Sequence, residues 1–244
     1  MNKIIINHLF EFWEYIGTQG GFFNREEGYV YTKPEKSSWP NKVFGIDPEI
    51  VNLKQLYAQM KNGALPKSLG VAENENIEKR LLQHNFEQQS MVKAMFLEIS
   101  KTTMPADDFA TITPVDNDKK AIIFARVSSN SFGYQILPET IISLIKHQKN
   151  MHLFLGKHND EYVSCGIIYH DKNGYSGIHM IGTLPEYRGM GLGKIMTNKL
   201  LFEAYQNQSN IVLLVASTPG ERIYSKIGFI TDGTLKSYTV NTSA

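Results

Sequence analysis

The chain holds a single cysteine, Cys165, so no intrachain disulfide can form. In Ser164-Cys165-Gly166-Ile167-Ile168 that thiol sits in an apolar, strand-like run, which predicts packing as a small hydrophobe rather than service as a nucleophile. No segment reaches the ~18 consecutive apolar residues that suggest a bilayer span. The opening Met1-Asn2-Lys3-Ile4-Ile5-Ile6-Asn7-His8 has too short an apolar run for a signal segment and meets charge again at Glu11. A reducing, cytoplasmic setting without a membrane partner is the expectation. Charge of one sign is missing too: 25 Lys and Arg against 24 Asp and Glu leave a net charge of +1, which argues against a nucleic-acid partner and favours small ligands. What is present is 244 residues, 42% of them hydrophobic, enough for one large domain or two compact units.

Apolar residues at Ile5, Leu9, Phe12, Trp13 and Ile16 recur at spacings of three and four, which predicts an amphipathic helix over residues 4–17. Short strands are expected at Tyr29–Tyr31 and Lys42–Ile46, then a helix from Pro48 to Lys61 that stops before Gly63. A polar, turn-rich piece from Thr102 to Asp108 separates a strand at Met91–Ile99 from one at Phe109–Val115. The boundary between two domains, 1–108 and 109–244, is placed there. Helices over 118–130 and 138–149 follow, then a meander of strands at 151–157, 161–170 and 175–183. One feature repeats. Val215-Ala216-Ser217 precedes a short helix that runs into Ile227-Gly228-Phe229, and Val71-Ala72-Glu73 precedes one that runs into His84-Asn85-Phe86. This suggests two copies of one supersecondary unit.

The stretch Leu184-Pro185-Glu186-Tyr187-Arg188-Gly189-Met190-Gly191-Leu192-Gly193-Lys194 clears side chains at every second position between Gly189 and Gly193. It is not a Walker A loop, because Arg188 and Ile195 occupy the places of the opening glycine and the magnesium-binding hydroxyl. Nor is it a dinucleotide fingerprint, which needs glycine where Lys194 stands and a turn directly after a strand. Strand, Arg-x-x-Gly-x-Gly and helix remain, with Leu192, Ile195, Met196 and Leu200 on the helix's apolar side. Helix N-terminal N–H groups flanked by glycines can receive a pyrophosphate, although a ligand-free turn has the same composition.

Here the chain resembles the GNAT superfamily of acyl-CoA-dependent N-acetyltransferases, whose signature is [QR]-x-x-G-x-[GA]. Thr183-Leu184-Pro185-Glu186-Tyr187-Arg188-Gly189-Met190-Gly191-Leu192-Gly193 departs from the fuller family pattern only in Thr183, where valine is usual. A second family signature, Y-x-x-x-G-F, stands at Tyr224-Ser225-Lys226-Ile227-Gly228-Phe229. The resemblance covers about residues 109–240. It implies an α/β fold with a mixed, largely antiparallel central sheet flanked by helices. With the internal repeat, it suggests two tandem GNAT-like units, the first degenerate.

The resemblance also implies site residues. Acetyl-CoA would lie with its pantetheine amides on the main chain of Ile181, Gly182 and Thr183, and its pyrophosphate on the N–H groups of Gly189, Met190, Gly191, Leu192, Gly193 and Lys194. Arg188 would add charge to the phosphates or brace the loop. Tyr224 would donate a proton to the departing sulfur, and the Thr183 N–H would polarise the thioester carbonyl. Ser217 would line the same cleft. The strand glutamate that often serves the family as base is replaced by Gly177. His179, two residues on and on the same side of the strand, is the substitute candidate. The acceptor implied is a primary amine of a small molecule or peptide. The missing glutamate leaves a non-catalytic acyl-CoA sensor as the alternative. In the first half the residue matching Tyr224 is Leu81, and no glycine loop occurs. Tyr29, Tyr31, Trp39 and Phe44 are either walls of an acceptor cleft or core.

Overall fold

The computed structural model describes residues 1–99, 108–146 and 149–241. Along the chain they form α1 (Asn2–Gln19), β1 (Phe23–Glu26), β2 (Tyr29–Thr32), β3 (Lys42–Phe44), α2 (Leu53–Lys61), β4 (Ser68–Ala72), α3 (Glu75–Gln83) and β5 (Phe86–Glu98). Then come β6 (Ile112–Pro114), α4 (Asp118–Phe132), α5 (Pro138–Ile145), β7 (Met151–His158), β8 (Glu161–His170), β9 (Ser176–Thr183), α6 (Leu192–Gln206), β10 (Ile211–Ala216), α7 (Thr218–Ile227) and β11 (Ile230–Val240). None of the described helices is long and apolar enough to cross a membrane.

The periodic segments form as their patterns require, and α1 buries all five of the residues that announced it. Local chemistry moves some boundaries. The helix expected from Pro48 begins at Leu53, because Asp47 first closes a turn by accepting from the Val51 N–H and Asn52 then caps the helix through the Gln55 N–H. The strand expected from Met91 begins at Phe86: its first half is solvent-facing, so Glu87–Ser90 carry no apolar alternation to read. The strand expected over 109–115 shortens to Ile112–Pro114, where the Ile112 N–H turns back to the Phe109 carbonyl. Most of the turn-rich stretch 102–108 and the end of the helix expected to reach 149 lie outside the described residues.

Two compact units result, and a single cut at 108/109 does not separate them. One comprises Met1–Glu35, Pro40–Met95 and Val215–Ala244, the other Lys36–Trp39 and Phe96–Leu214. In the first, the strands run β1-β2-β3-β4-β11-β5, with β1-β2, β2-β3 and β4-β11 antiparallel and β3 parallel to β4. Its core gathers Val43, Leu56, Met60, Leu69, Ile77, Leu81, Phe86 and Tyr238. In the second, the strands run β10-β9-β8-β7-β6, with β7-β8-β9 the expected antiparallel meander. The long strand β5 gives Phe86–Met95 to the first unit and Phe96–Glu98 to the second, where its end lies beside β10.

The internal repeat is thus real, and its partners are exchanged. Both β4-α3-β5 and β10-α7-β11 are strand, helix, strand. Yet β4 pairs with β11, with Leu235 opposite Ala72 and Thr239 opposite Ser68, while β10 neighbours β5. Each repeat completes its ladder with the other's last strand, so backbone groups that one repeat would leave open are bonded by its counterpart.

Candidate active site

In the second unit β9 has two different edges. Toward β8 it is paired along its length, whereas toward β10 it pairs in parallel only at Ser176 with Val212 and Gly177 with Leu213. Beyond Gly177 the register with β10 ends among the described residues, so the main chain of Ile181 to Thr183 lies past the last β9–β10 pair. Such an edge can receive an amide-bearing chain, as an added strand would.

A bulge shapes this stretch. His179 stands opposite Ile167 and Gly182 opposite Cys165, so Met180 and Ile181 together face the single residue Gly166. Met180 takes φ 52°, a left-handed backbone that costs an unbranched L-residue about 1 kcal/mol or more. The extra residue resets the alternation: Gly177, His179 and Gly182 all present to the sheet face that carries Cys165. That face is covered by α4. A Cβ on Gly182 would stand 2.8 Å from Ser131 Cβ and 3.1 Å from Phe132 Cε2, so helix and strand approach as closely as glycine permits. Cys165 is fully buried and donates to the Met180 carbonyl at 3.4 Å. Burial pushes its thiol up to about 12, as suits the packing role expected of it.

After β9 the chain makes one turn of 3-10 helix at Pro185–Tyr187 and enters the glycine loop. Gly189 and Gly191 have φ 81° and 80°, and a Cβ at either would meet nothing within 4 Å. Among the described residues no neighbour explains the missing side chains; what they leave is open main chain in a conformation costly to other residues. Gly191 is also the N-cap of α6, which has no side-chain cap and no acidic residue in its first turn. The helix therefore offers its first N–H groups and the positive end of its dipole to the loop, with Lys194 exposed beside them. This donor set fits an anion of the pyrophosphate kind.

Arg188 has an internal task. Its guanidinium donates to the Thr183 carbonyl at 3.3 Å and to the Ser131 carbonyl at 2.8 Å, binding the loop to the end of β9 and the last turn of α4. These two bonds brace the loop. His179 is 7% exposed on the α4 face.

Tyr224 and Ser217 lie in the first unit. Ser217 is the N-cap of α7, accepting from the Gly220 N–H at 3.4 Å. Tyr224 is half-buried on α7, with its ring edge-on to Phe229 at 5.8 Å between centroids. Burial pushes its phenol up to about 12, so it holds its proton at neutral pH. Of the aromatic candidates in the first half, Phe44 is fully buried against Phe10 and Trp13, and Trp39 is 8% exposed: both are core. Tyr29 and Tyr31 are half-buried against the first unit's core. Sequence reasoning missed the aromatic corner Phe132-Gly133-Tyr134, where Gly133 ends α4 in a left-handed turn and the flanking rings stack at 5.8 Å. A helix-stopping glycine between two aromatics was the available signal.

Residues 121–229 match the family model described as "Acetyltransferase (GNAT) family". No curated protein matches the chain. Among solved structures, a GCN5-related N-acetyltransferase from Kribbella flavida superposes with a TM-score of 0.68 at 15% identity, over 91% of this chain and 90% of that one. A putative GNAT-family acetyltransferase from Novosphingobium aromaticivorans gives 0.60 at 10% identity over 96% of each chain. A tandem GNAT protein from the clavulanic acid biosynthesis pathway gives 0.59 at 10% identity, over 89% of this chain and 79% of that one. At these identities the likeness is one of fold.

Proposed function

Residues 121–229 match the model of the GNAT acetyltransferase family, and from that premise we propose that the chain transfers the acetyl group of acetyl-CoA to a primary amine by direct attack within a ternary complex. The single observation that carries this reading is the glycine loop at the uncapped N-terminus of α6, at the end of a strand that runs past its last pair with β10.

Coenzyme A supplies an activated thioester; the rest falls to the chain. The N–H groups of Gly189 to Lys194 hold the pyrophosphate, and Arg188 keeps that loop in place. The main chain of Ile181, Gly182 and Thr183 holds the amide-bearing arm, and the Thr183 N–H polarises the thioester carbonyl. Tyr224, protonated at neutral pH, donates to the sulfur as it departs. A lysine-type amine has a pKa of about 10.4, so its proton must be taken up before attack. With Gly177 at the usual place of the glutamate, His179 takes that part from the same face of the strand. The first half is a degenerate copy without a glycine loop of its own.

Calorimetry with acetyl-CoA and a thiol-release assay with amines test the reading together. Wild type should bind, and Gly191→Val, which puts a β-branched residue at φ 80°, should weaken binding by about tenfold or more. Absence of acetyl-CoA binding by wild type would sink the proposal. Binding without thiol release for any amine would favour the alternative that Gly177 keeps open, an acyl-CoA sensor.

A further inference from the structure

The acceptor remains to be named by chemical class, and the corner between α4 and α5 supplies the material. Phe132 and Tyr134 stack with ring planes 23° apart, and each remains 37% exposed, far more than a core aromatic. The pair is fixed to the bulged end of β9 in three ways. Phe132 packs on Gly182, the Tyr134 hydroxyl lies 3.9 Å from the Met180 sulfur, and the Ser131 carbonyl just before them is held by Arg188. An exposed aromatic face thus stands beside the part of β9 that lies past its last pair with β10, on the sheet face that also carries His179.

Charge narrows the choice. Neither Ser128–Leu137 nor Ser176–Leu184 contains an aspartate or glutamate, the one carboxylate at the corner being Glu139 in the first turn of α5, and the charged side chain that ties the two segments together is the cation Arg188. A polyamine or aminoglycoside brings several positive charges, and each needs a carboxylate or must be desolvated at a cost. An amine on a flat apolar body needs only a surface to stack on.

We infer that Phe132 and Tyr134 form the acceptor platform, and that the acceptor is a primary amine carried on an aromatic body, with a single positive charge. This rests on the acetyl-CoA reading above. The amine nitrogen attacks the thioester carbonyl carbon, the carbon–sulfur bond breaks, the amine proton goes to His179 or water, and the thiolate leaves as coenzyme A thiol with a proton from Tyr224.

The test uses the full chain with 2-phenylethylamine, tryptamine and spermidine as acceptors, read by thiol release, alongside calorimetry with acetyl-CoA alone. Wild type should acetylate the aryl amines with a kcat/KM at least about a hundredfold above that for spermidine. Phe132→Ala and Tyr134→Ala should each raise KM for phenylethylamine by about tenfold, the worth of an aromatic pair, while kcat and the affinity for acetyl-CoA stay near wild type. Tyr134→Phe, which keeps the ring, should restore the KM. Spermidine turned over as well as the aryl amines, an unmoved KM in both alanine variants, or acetyl-CoA binding without aryl-amine turnover would each overturn the inference. Each leaves the donor reading standing, whereas failure of wild type to bind acetyl-CoA removes the donor reading itself. Should the alanine variants fail to fold, the wild-type acceptor ranking still decides.

Discussion

The two repeats, β4-α3-β5 and β10-α7-β11, share a plan and differ where it matters chemically. Each helix exits through a left-handed residue, Asn85 at φ 63° in one and Gly228 at φ 111° in the other, and delivers a buried phenylalanine, Phe86 or Phe229, to the strand that follows. Five residues before that phenylalanine stands Leu81, fully buried, or Tyr224, half-buried with a hydroxyl. The first turn of α3 carries Glu75 and Glu78, which repel an anion, and Asn74 and Glu78 occupy its terminal N–H groups. The first copy has spent its helix on stability. The second keeps a phenol partly in the open.

Leu81→Ala should therefore cost about 3 kcal/mol in urea unfolding, the range for emptying a fully buried leucine site. Tyr224→Ala, at the matching place but half-buried, should cost clearly less. If the two costs were equal, the division of labour between the copies would be lost.

Next in size is the chemical effect. Tyr224→Phe should lower kcat for acetyl transfer about a hundredfold with little change in the affinity for acetyl-CoA, the scale of a general acid. Full turnover in this variant would make Tyr224 as purely structural as Leu81.

These differences were partly legible beforehand. The repeat, the glycine loop, the amphipathic helices and the meander all announce themselves, because each rests on local periodicity or on residues with special backbone freedom. The exchange of strands did not. Nothing in Leu235–Thr239 says that their partners are Ser68–Ala72 rather than a neighbouring segment, since ladder hydrogen bonds are made by main chain and carry no sequence. One consequence is that a cut at 108/109 separates β11 from β4, so residues 109–244 expressed alone should lack a folded β11. Arg188 was legible as a loop brace or a phosphate ligand, but its bonding partners were not, because they are carbonyl oxygens at Thr183 and Ser131. The bulge at Met180 hid for a similar reason: methionine is a poor advertisement for a left-handed residue.

A smaller effect separates the copies by pH. Tyr224 in the folded chain keeps its proton up to about 12, while an unfolded tyrosine loses its own near 10. Between those values the unfolded state binds fewer protons, so stability must fall as pH rises from 10 toward 12. Because Tyr224 is only half-buried, the loss attributable to it should be about 1 kcal/mol by pH 11. Urea melts at pH 8 and pH 11 should show Tyr224→Phe gaining on wild type by that amount, whereas Leu81→Ala gains nothing. An unchanged gap would mean that the phenol is not held away from water.

The smallest difference lies at the helix starts. Asn74 accepts from the N–H groups of both Asn76 and Ile77, at 3.1 and 3.2 Å, and its own N–H donates to Glu78 at 2.9 Å. Ser217 accepts one long bond of 3.4 Å and is exposed. Asn74→Ala should cost about 1 kcal/mol and Ser217→Ala about 0.3 kcal/mol, because a cap is worth what its hydrogen bonds are worth. The helix that carries Tyr224 is thus the more weakly fastened of the two. Its first turn should therefore exchange amide hydrogens faster than the first turn of α3, and Asn74→Ala should narrow that gap by speeding exchange in α3 while leaving the rate in α7 unchanged.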